Sequence, residues 1–179
     1  MANACPNIVA IQMTSSPLVE DNLLFVEQQL KLLPTQRPCL VVLPECFACF
    51  GGDDKLMMDI AEDLHLGPIQ HKLKQLAKQY NIWLVAGSLP ISCPSTGKFT
   101  ASCLLINDHG ETVQEYQKIH LFDVKVADNT GTYLESRLTQ AGNTLIVTHT
   151  PFGNLGLAVC YDIRFAGMFA AMNQIAQLD

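Results

Sequence analysis

Three residues of this chain have the types and surroundings that covalent chemistry asks for. Cys160 ends the apolar run of Gly153-Asn-Leu-Gly-Leu-Ala-Val-Cys-Tyr-Asp-Ile-Arg-Phe165, Glu45 follows Val-Val-Leu-Pro, and Lys118 stands in Tyr-Gln-Lys-Ile-His-Leu-Phe-Asp. A thiol that attacks an amide or nitrile carbon needs a base to take its proton. The tetrahedral intermediate that follows needs a positive donor at its developing charge. Cys, Glu and Lys supply those three functions without a histidine.

Each also has an ordinary structural explanation. Cysteine is among the most buried residue types, so Cys160 at a strand end can be packing alone. Equally, a thiol where a strand meets a helix can be lowered in pKa by the helix N-terminus and presented to a substrate. Glu45 emerges from a fully apolar strand, where desolvation suits a carboxyl group to general base work. A loop carboxylate capping a helix near Asp53 to Asp63 explains it as well. Lys118 alone reads as a solvated strand-end lysine, and His120 as a core histidine bonded to a backbone carbonyl.

The elements that must position these residues follow from hydrophobic period. Asn7 to Met13 reads as an opening strand, and Asp21 to Leu33 as a helix with Leu23, Leu24, Val26, Leu30 and Leu33 on one face. Pro38 to Leu43 is a β-branched run of the kind covered on both faces. Pro68 opens a helix to Tyr80 whose lysines, Lys72, Lys74 and Lys78, form its solvated side rather than a binding patch. Ile82 to Ser88 is a further buried strand.

Phe99 to Asn107 and Glu111 to Gln117 form a hairpin turned by Asp108-His-Gly110, which delivers Lys118 just past its second strand. Val124 to Gly142 has no clear period and reads as a long active loop or lid. Thr144 to His149 and Leu155 to Val159 are strands again, and Phe165 to Gln177 is helical. Alternating α/β units thus merge into antiparallel pairs, and the fold class is α/β, a mixed sheet with helices outside. Glu45, Lys118 and Cys160 each lie at or just past a strand end, where a sheet converges residues distant in sequence.

Composition bounds the rest. A chain of 179 residues, half of them hydrophobic and 16% charged, fits one domain over 1–179 with a core of its own and is not disordered. The net charge of −6, with no basic run, argues against nucleic acid or an anionic membrane as partner. No stretch has the length of a membrane span, and Met-Ala-Asn-Ala-Cys-Pro has no signal-peptide features, so a cytoplasmic protein is expected. Seven cysteines, several inside apolar runs, fit reduced thiols better than a disulfide framework. Cys46 and Cys49 are spaced Cys-x-x-Cys, but without a second pair they read as loop residues rather than a zinc or redox site.

Leu43-Pro-Glu45, Lys118-Ile-His-Leu-Phe-Asp123 and Val159-Cys-Tyr-Asp-Ile-Arg-Phe165 together resemble the three signature regions of the nitrilase superfamily of carbon–nitrogen hydrolases. They stand in that family's order and extend the resemblance from Ile8 onward. It implies an α-β-β-α sandwich, with Cys160 as nucleophile, Glu45 as general base and Lys118 as charge stabiliser. The Tyr161 backbone N–H would join Lys118 at the oxyanion. Tyr133-Leu-Glu-Ser136 is most similar to the Nit branch, amidases resembling deaminated glutathione amidase and ω-amidase, and maps a second active-site carboxylate onto Glu135. The resemblance implies hydrolysis of a small linear amide to carboxylate and ammonia, with no metal or organic cofactor, and a homodimer.

Two departures from the family pattern stand out. Arg164-Phe-Ala-Gly167 has glycine where relatives carry glutamate, which implies a looser nucleophile turn. Family members also continue beyond the point where this chain stops, so the C-terminal strands of the sandwich are expected to be missing. A truncated, non-catalytic binding or assembly module is therefore the rival expectation. A thiol redox protein built on Cys46, Cys49 and Cys160 leaves Glu45 and Lys118 unexplained.

Overall fold

The computed structural model describes residues 6–52, 55–125 and 132–178. Its centre is a five-stranded mixed sheet of β1 (Asn7–Ala10), β2 (Cys39–Val42), β3 (Trp83–Cys93), β4 (Lys98–Ile106) and β5 (Thr112–Gln117), in that spatial order. β1, β2 and β3 run parallel, with Ile8 opposite Leu40 and Val41 opposite Leu84. β3, β4 and β5 are antiparallel neighbours. The crossovers are helical where the strands are parallel, α1 (Val19–Leu30) and α3 (Pro68–Tyr80), with a short α2 (Lys55–Asp59) between β2 and α3. A parallel pair cannot be joined by a tight turn, and the sequence supplies helices of the needed length.

Strand alternation divides the core in two. Cys39, Val41 and Leu43 face one way, with Leu84 and Leu104, against Val26 and Leu30 of α1 and Leu73 and Leu76 of α3. Leu40, Val85, Cys103, Leu105 and Tyr116 face the other way. That face is covered by a hairpin of β8 (Val147–Thr150) and β9 (Gly153–Gly156), and by α4 (Ala166–Ile175) through Met168 and Met172. β2 is apolar at every position because both its faces are covered, as its sequence implied.

α3 begins at Pro68 with Gly67 as N-cap and ends on Asn81 in the left-handed conformation. The hairpin turn also follows the sequence, with Gly110 at φ 80°. Three expectations need correction. The segment Val124 to Gly142 is not wholly irregular: β6 (Asp123–Lys125) pairs with β7 (Thr132–Leu134), and a single 3-10 turn follows at Glu135–Arg137. Strands of three residues are too short to show a period, and the residues between them lie outside those described. The final strand is Gly153–Gly156, while Leu157 to Val159 runs on beyond the ladder with Leu157 N–H still bonded to Ile146 O at 3.1 Å. Between Val159 and α4 lies a 3-10 turn, Cys160–Arg164, so Cys160 does not sit on an α-helix N-terminus.

Gly167, in the first turn of α4, has nothing within 4 Å of where a Cβ would stand. The open space means that no neighbour requires glycine. Gly167→Ala is expected to raise stability by up to about 1 kcal/mol through helix propensity alone. A urea titration checks it, and a lower midpoint would contradict this picture of an unconfined helix start.

Candidate active site

β2 ends at Val42, and the chain turns through Pro44 to Glu45 and then Cys46, which takes φ 52°. Ser88 steadies this turn by accepting the Cys46 N–H at 2.8 Å. Gly87 lies against its other side, in a stretch where the β3–β4 register shifts, and a Cβ there would collide with the Pro44 carbonyl. The irregularity in β3 therefore makes room for the backbone that aims Glu45.

Lys118 follows β5 directly. Its N–H donates to Ala101 O at 3.0 Å, and its carbonyl accepts the Gly142 N–H at 2.9 Å. Its side chain is not the solvated strand-end lysine of the simpler reading. It is 2% exposed, and the ammonium donates to Glu45 Oε1 at 2.7 Å and to Glu135 Oε1 and Oε2 at 3.0 and 2.9 Å. Burial works against its charge, and the two carboxylates outweigh that, holding its pKa above the ordinary lysine range. Glu135 enters from the start of the 3-10 turn after β7, and its Oε2 also accepts the Phe122 N–H at 2.6 Å. Glu45 keeps 30% side-chain exposure, so it is less enclosed than its apolar strand suggested.

Cys160 begins its turn at φ 47°, a conformation that residues with a Cβ seldom hold unless their surroundings impose it. Glu45, Lys118 and Glu135 all act electrostatically on its thiol, which brings the fourth group to the cluster. The lowered thiol pKa expected from a helix N-terminus is not what the structure gives. Cys160 is an exposed residue, yet partial desolvation of its sulfur pushes the thiol up to about 11, and Glu45 acts in the same direction against the opposing pull of Lys118. These influences favour the protonated thiol over the thiolate. Tyr161 N–H precedes the first N–H paired in the turn, that of Asp162 to Val159 O at 3.1 Å. The Tyr161 ring packs edge-on to Phe122 and Phe165.

Sequence reasoning passed over Asp162, Tyr116 and the true partner of His120. Asp162 is fully buried and accepts from Tyr116 Oη, Val159 N–H and both the backbone N–H and Nδ1 of His120. His120 is bonded to this carboxylate, not to a backbone carbonyl, and its ring stacks on Phe165 at 3.6 Å. The available signal was a lone carboxylate two residues past Cys160 in an otherwise apolar segment.

The described cysteines Cys39, Cys46, Cys49, Cys93, Cys103 and Cys160 are all free thiols. Among the described residues, no three His, Cys, Asp or Glu side chains are grouped to hold a metal ion, and no helix is long and apolar enough to cross a membrane.

A thiol, an ammonium and two carboxylates are thus gathered at the edge of a mixed α/β core. The chain belongs to the carbon–nitrogen hydrolase family, whose model matches residues 8–177. It is 40% identical over 173 residues to deaminated glutathione amidase of Yersinia enterocolitica, covering 96% of this chain and 59% of that protein. It is 33% identical over 159 residues to omega-amidase NIT2 of Homo sapiens, covering 89% of this chain and 56% of that one. The fold matches the NitFhit protein of C. elegans with a TM-score of 0.80 and 32% identity, over 93% of this chain and 40% of that chain. The nitrilase-superfamily fold expected from the three motifs is thereby established, and the chain spans roughly three-fifths of the length of these amidases.

Proposed function

We propose that the chain carries the catalytic groups of an amidase that hydrolyses a small linear amide, deaminated glutathione or the ω-amide of an α-keto acid, to a carboxylate and ammonia. The observation that carries this reading is the buried ammonium of Lys118 held between Glu45 and Glu135, with the Cys160 thiol under the electrostatic influence of all three. The names of the relatives supply the substrate class.

Glu45 takes the thiol proton as the Cys160 sulfur attacks the amide carbon, and the carbonyl π electrons move onto oxygen. Lys118 and the Tyr161 N–H meet that oxyanion, and Glu135 holds the ammonium in place so that it need not reorganise as charge develops. Collapse breaks the C–N bond, and nitrogen leaves as ammonia with the proton from Glu45. Water then attacks the thioester carbonyl and gives a proton to the same carboxylate. The C–S bond breaks, the carboxylate product departs, and the proton returns to sulfur. The raised thiol pKa is what gives a base its place in the scheme, since desolvation and the neighbouring carboxylates favour the protonated sulfur.

The test is ammonia release from α-ketoglutaramate and from deaminated glutathione, with Cys160→Ala alongside. Turnover by the parent chain and none by the variant is the expected result, and turnover retained in Cys160→Ala overturns the scheme. A folded parent chain that releases no ammonia returns the reading to a non-catalytic binding module. The same proposal treats 1–179 as one cytoplasmic domain that pairs as a homodimer, which a sizing experiment addresses.

A further inference from the structure

A charged side chain with no solvent exposure calls for a reason, and Asp162 has more partners than a turn cap requires. Capping the Cys160 turn takes one bond, from Val159 N–H to Oδ2 at 2.9 Å. The other three donors come from far away in sequence. Tyr116 Oη donates to Oδ2 at 2.6 Å, and His120 donates to Oδ1 through its backbone N–H at 3.0 Å and pairs through Nδ1 at 2.7 Å. A carboxylate has roughly four acceptor positions, and all are taken. Burial, with the bond to Asp162, keeps the Tyr116 phenol far above its ordinary titration range, so it remains a donor. That phenol oxygen also accepts Ile119 N–H at 3.1 Å.

These donors bracket Lys118. Tyr116 precedes it, Ile119 and His120 follow it, and Cys160 lies between Val159 and Asp162 on the other segment. The backbone of Lys118 is tied to Ala101 of the sheet and to Gly142. Among the described residues, the direct hydrogen bonds from the 116–120 segment to the 159–165 segment all end on this carboxylate, with the His120–Phe165 stack beside it.

We propose that Asp162 is a positioning residue that fixes the Cys160 sulfur relative to the Lys118 ammonium and Glu45, through its four donors and without touching substrate. The proposal rests on the reading that Cys160 and Lys118 act on one amide carbonyl. It also accounts for the φ of 47° at Cys160, because that backbone is pinned on its N-terminal side by Val159 N–H and on its C-terminal side by Asp162 itself.

The test uses the full chain with Asp162→Asn and Tyr116→Phe. An amide in place of the carboxylate, in either orientation, sets an NH2 group against two of the four donors. For Asp162→Asn, kcat for ammonia release is expected to fall about 100-fold with KM nearly unchanged, as for a nucleophile displaced by about 1 Å. Iodoacetamide labelling of Cys160, followed by mass spectrometry across pH, supplies an arm that needs no hydrolysis. Its midpoint should shift down from that of the parent chain as the sulfur leaves Glu45. Tyr116→Phe removes one donor and keeps the shape, so about a tenfold loss of kcat and a smaller shift of the labelling midpoint in the same direction are expected. If Asp162→Asn does not fold, Tyr116→Phe decides. Wild-type kcat and a wild-type labelling profile in a folded variant, however far its melting temperature drops, would overturn the proposal. Should the parent chain release no ammonia, the amidase reading fails, and the labelling profile alone judges the positioning role.

Discussion

Glu45→Gln is expected to lower kcat/KM for amide hydrolysis by about 10²–10⁴-fold while leaving the Cys160 thiol easier to ionise, a combination that few other substitutions would give. Glutamine keeps the length of the side chain and an oxygen for the Lys118 ammonium, now 2.7 Å from a carboxylate. What it loses is the capacity to take a proton from sulfur, deliver it to nitrogen and take another from water. Glu45 also raises the thiol pKa, with burial as the larger cause and Lys118 opposing. Removing the carboxylate leaves Lys118 and Glu135 as one cation and one anion beside the sulfur. The labelling midpoint of Cys160 should therefore drop below that of the parent chain. Hydrolysis and iodoacetamide labelling measured on the same preparation check the pair of effects. A variant that loses both would point to a collapsed site, and one that keeps its hydrolysis rate would remove Glu45 from the mechanism.

The direction of that thiol shift is where sequence and structure part company, and the reason is local. An apolar run, a cysteine and a helical period read as strand, turn and helix, which places the thiol on a helix N-terminus. The chain instead inserts a 3-10 turn at Cys160–Arg164, so α4 starts at Ala166 and the sulfur meets desolvation and a carboxylate in place of a helix N-terminus. No period marks so short a turn. α3, by contrast, was legible to the residue because Gly67 and Pro68 punctuate it and Lys72, Lys74 and Lys78 mark its wet side. Its N-terminus hid one device: buried Glu62 accepts the N–H groups of Ile69 and Gln70 at 2.6 and 3.1 Å from outside the helix. Glu62 and Asp162 escaped for the same reason. A buried carboxylate is explained by donors that the fold brings to it, whereas Glu45, Lys118 and Cys160 announced themselves by standing at or just past strand ends. Glu135 had no such setting and came only with the family resemblance.

Lys118→Met is expected to destabilise the protein by about 3 kcal/mol near neutral pH and to abolish measurable hydrolysis. Methionine matches the stem of the lysine, so packing against the sheet survives and the change isolates the charge. With the ammonium gone, Glu45 and Glu135 face each other across the space it filled, each formerly within 3.0 Å of it. Breaking a buried pair by removing one member costs about 3–5 kcal/mol, and the side-chain exposures of 30% and 22% place this case at the low end. The melting temperature should fall by roughly 6–12 °C for a chain of this size. The sign of the pH dependence follows from the proton count. In the parent chain the Lys118 pKa is raised, so its stabilisation is complete below the unfolded lysine value of about 10.4 and is lost only as pH rises through the folded value. In the variant two like charges share one site, and one of them takes up a proton that the unfolded chain does not bind. Stability of Lys118→Met should then rise as pH falls from 7 toward 5, closing part of the gap to the parent chain. Thermal melts of both proteins at pH 5, 7 and 9 check this. A gap that stays constant across that range would mean that solvent, rather than Lys118, balances the two carboxylates.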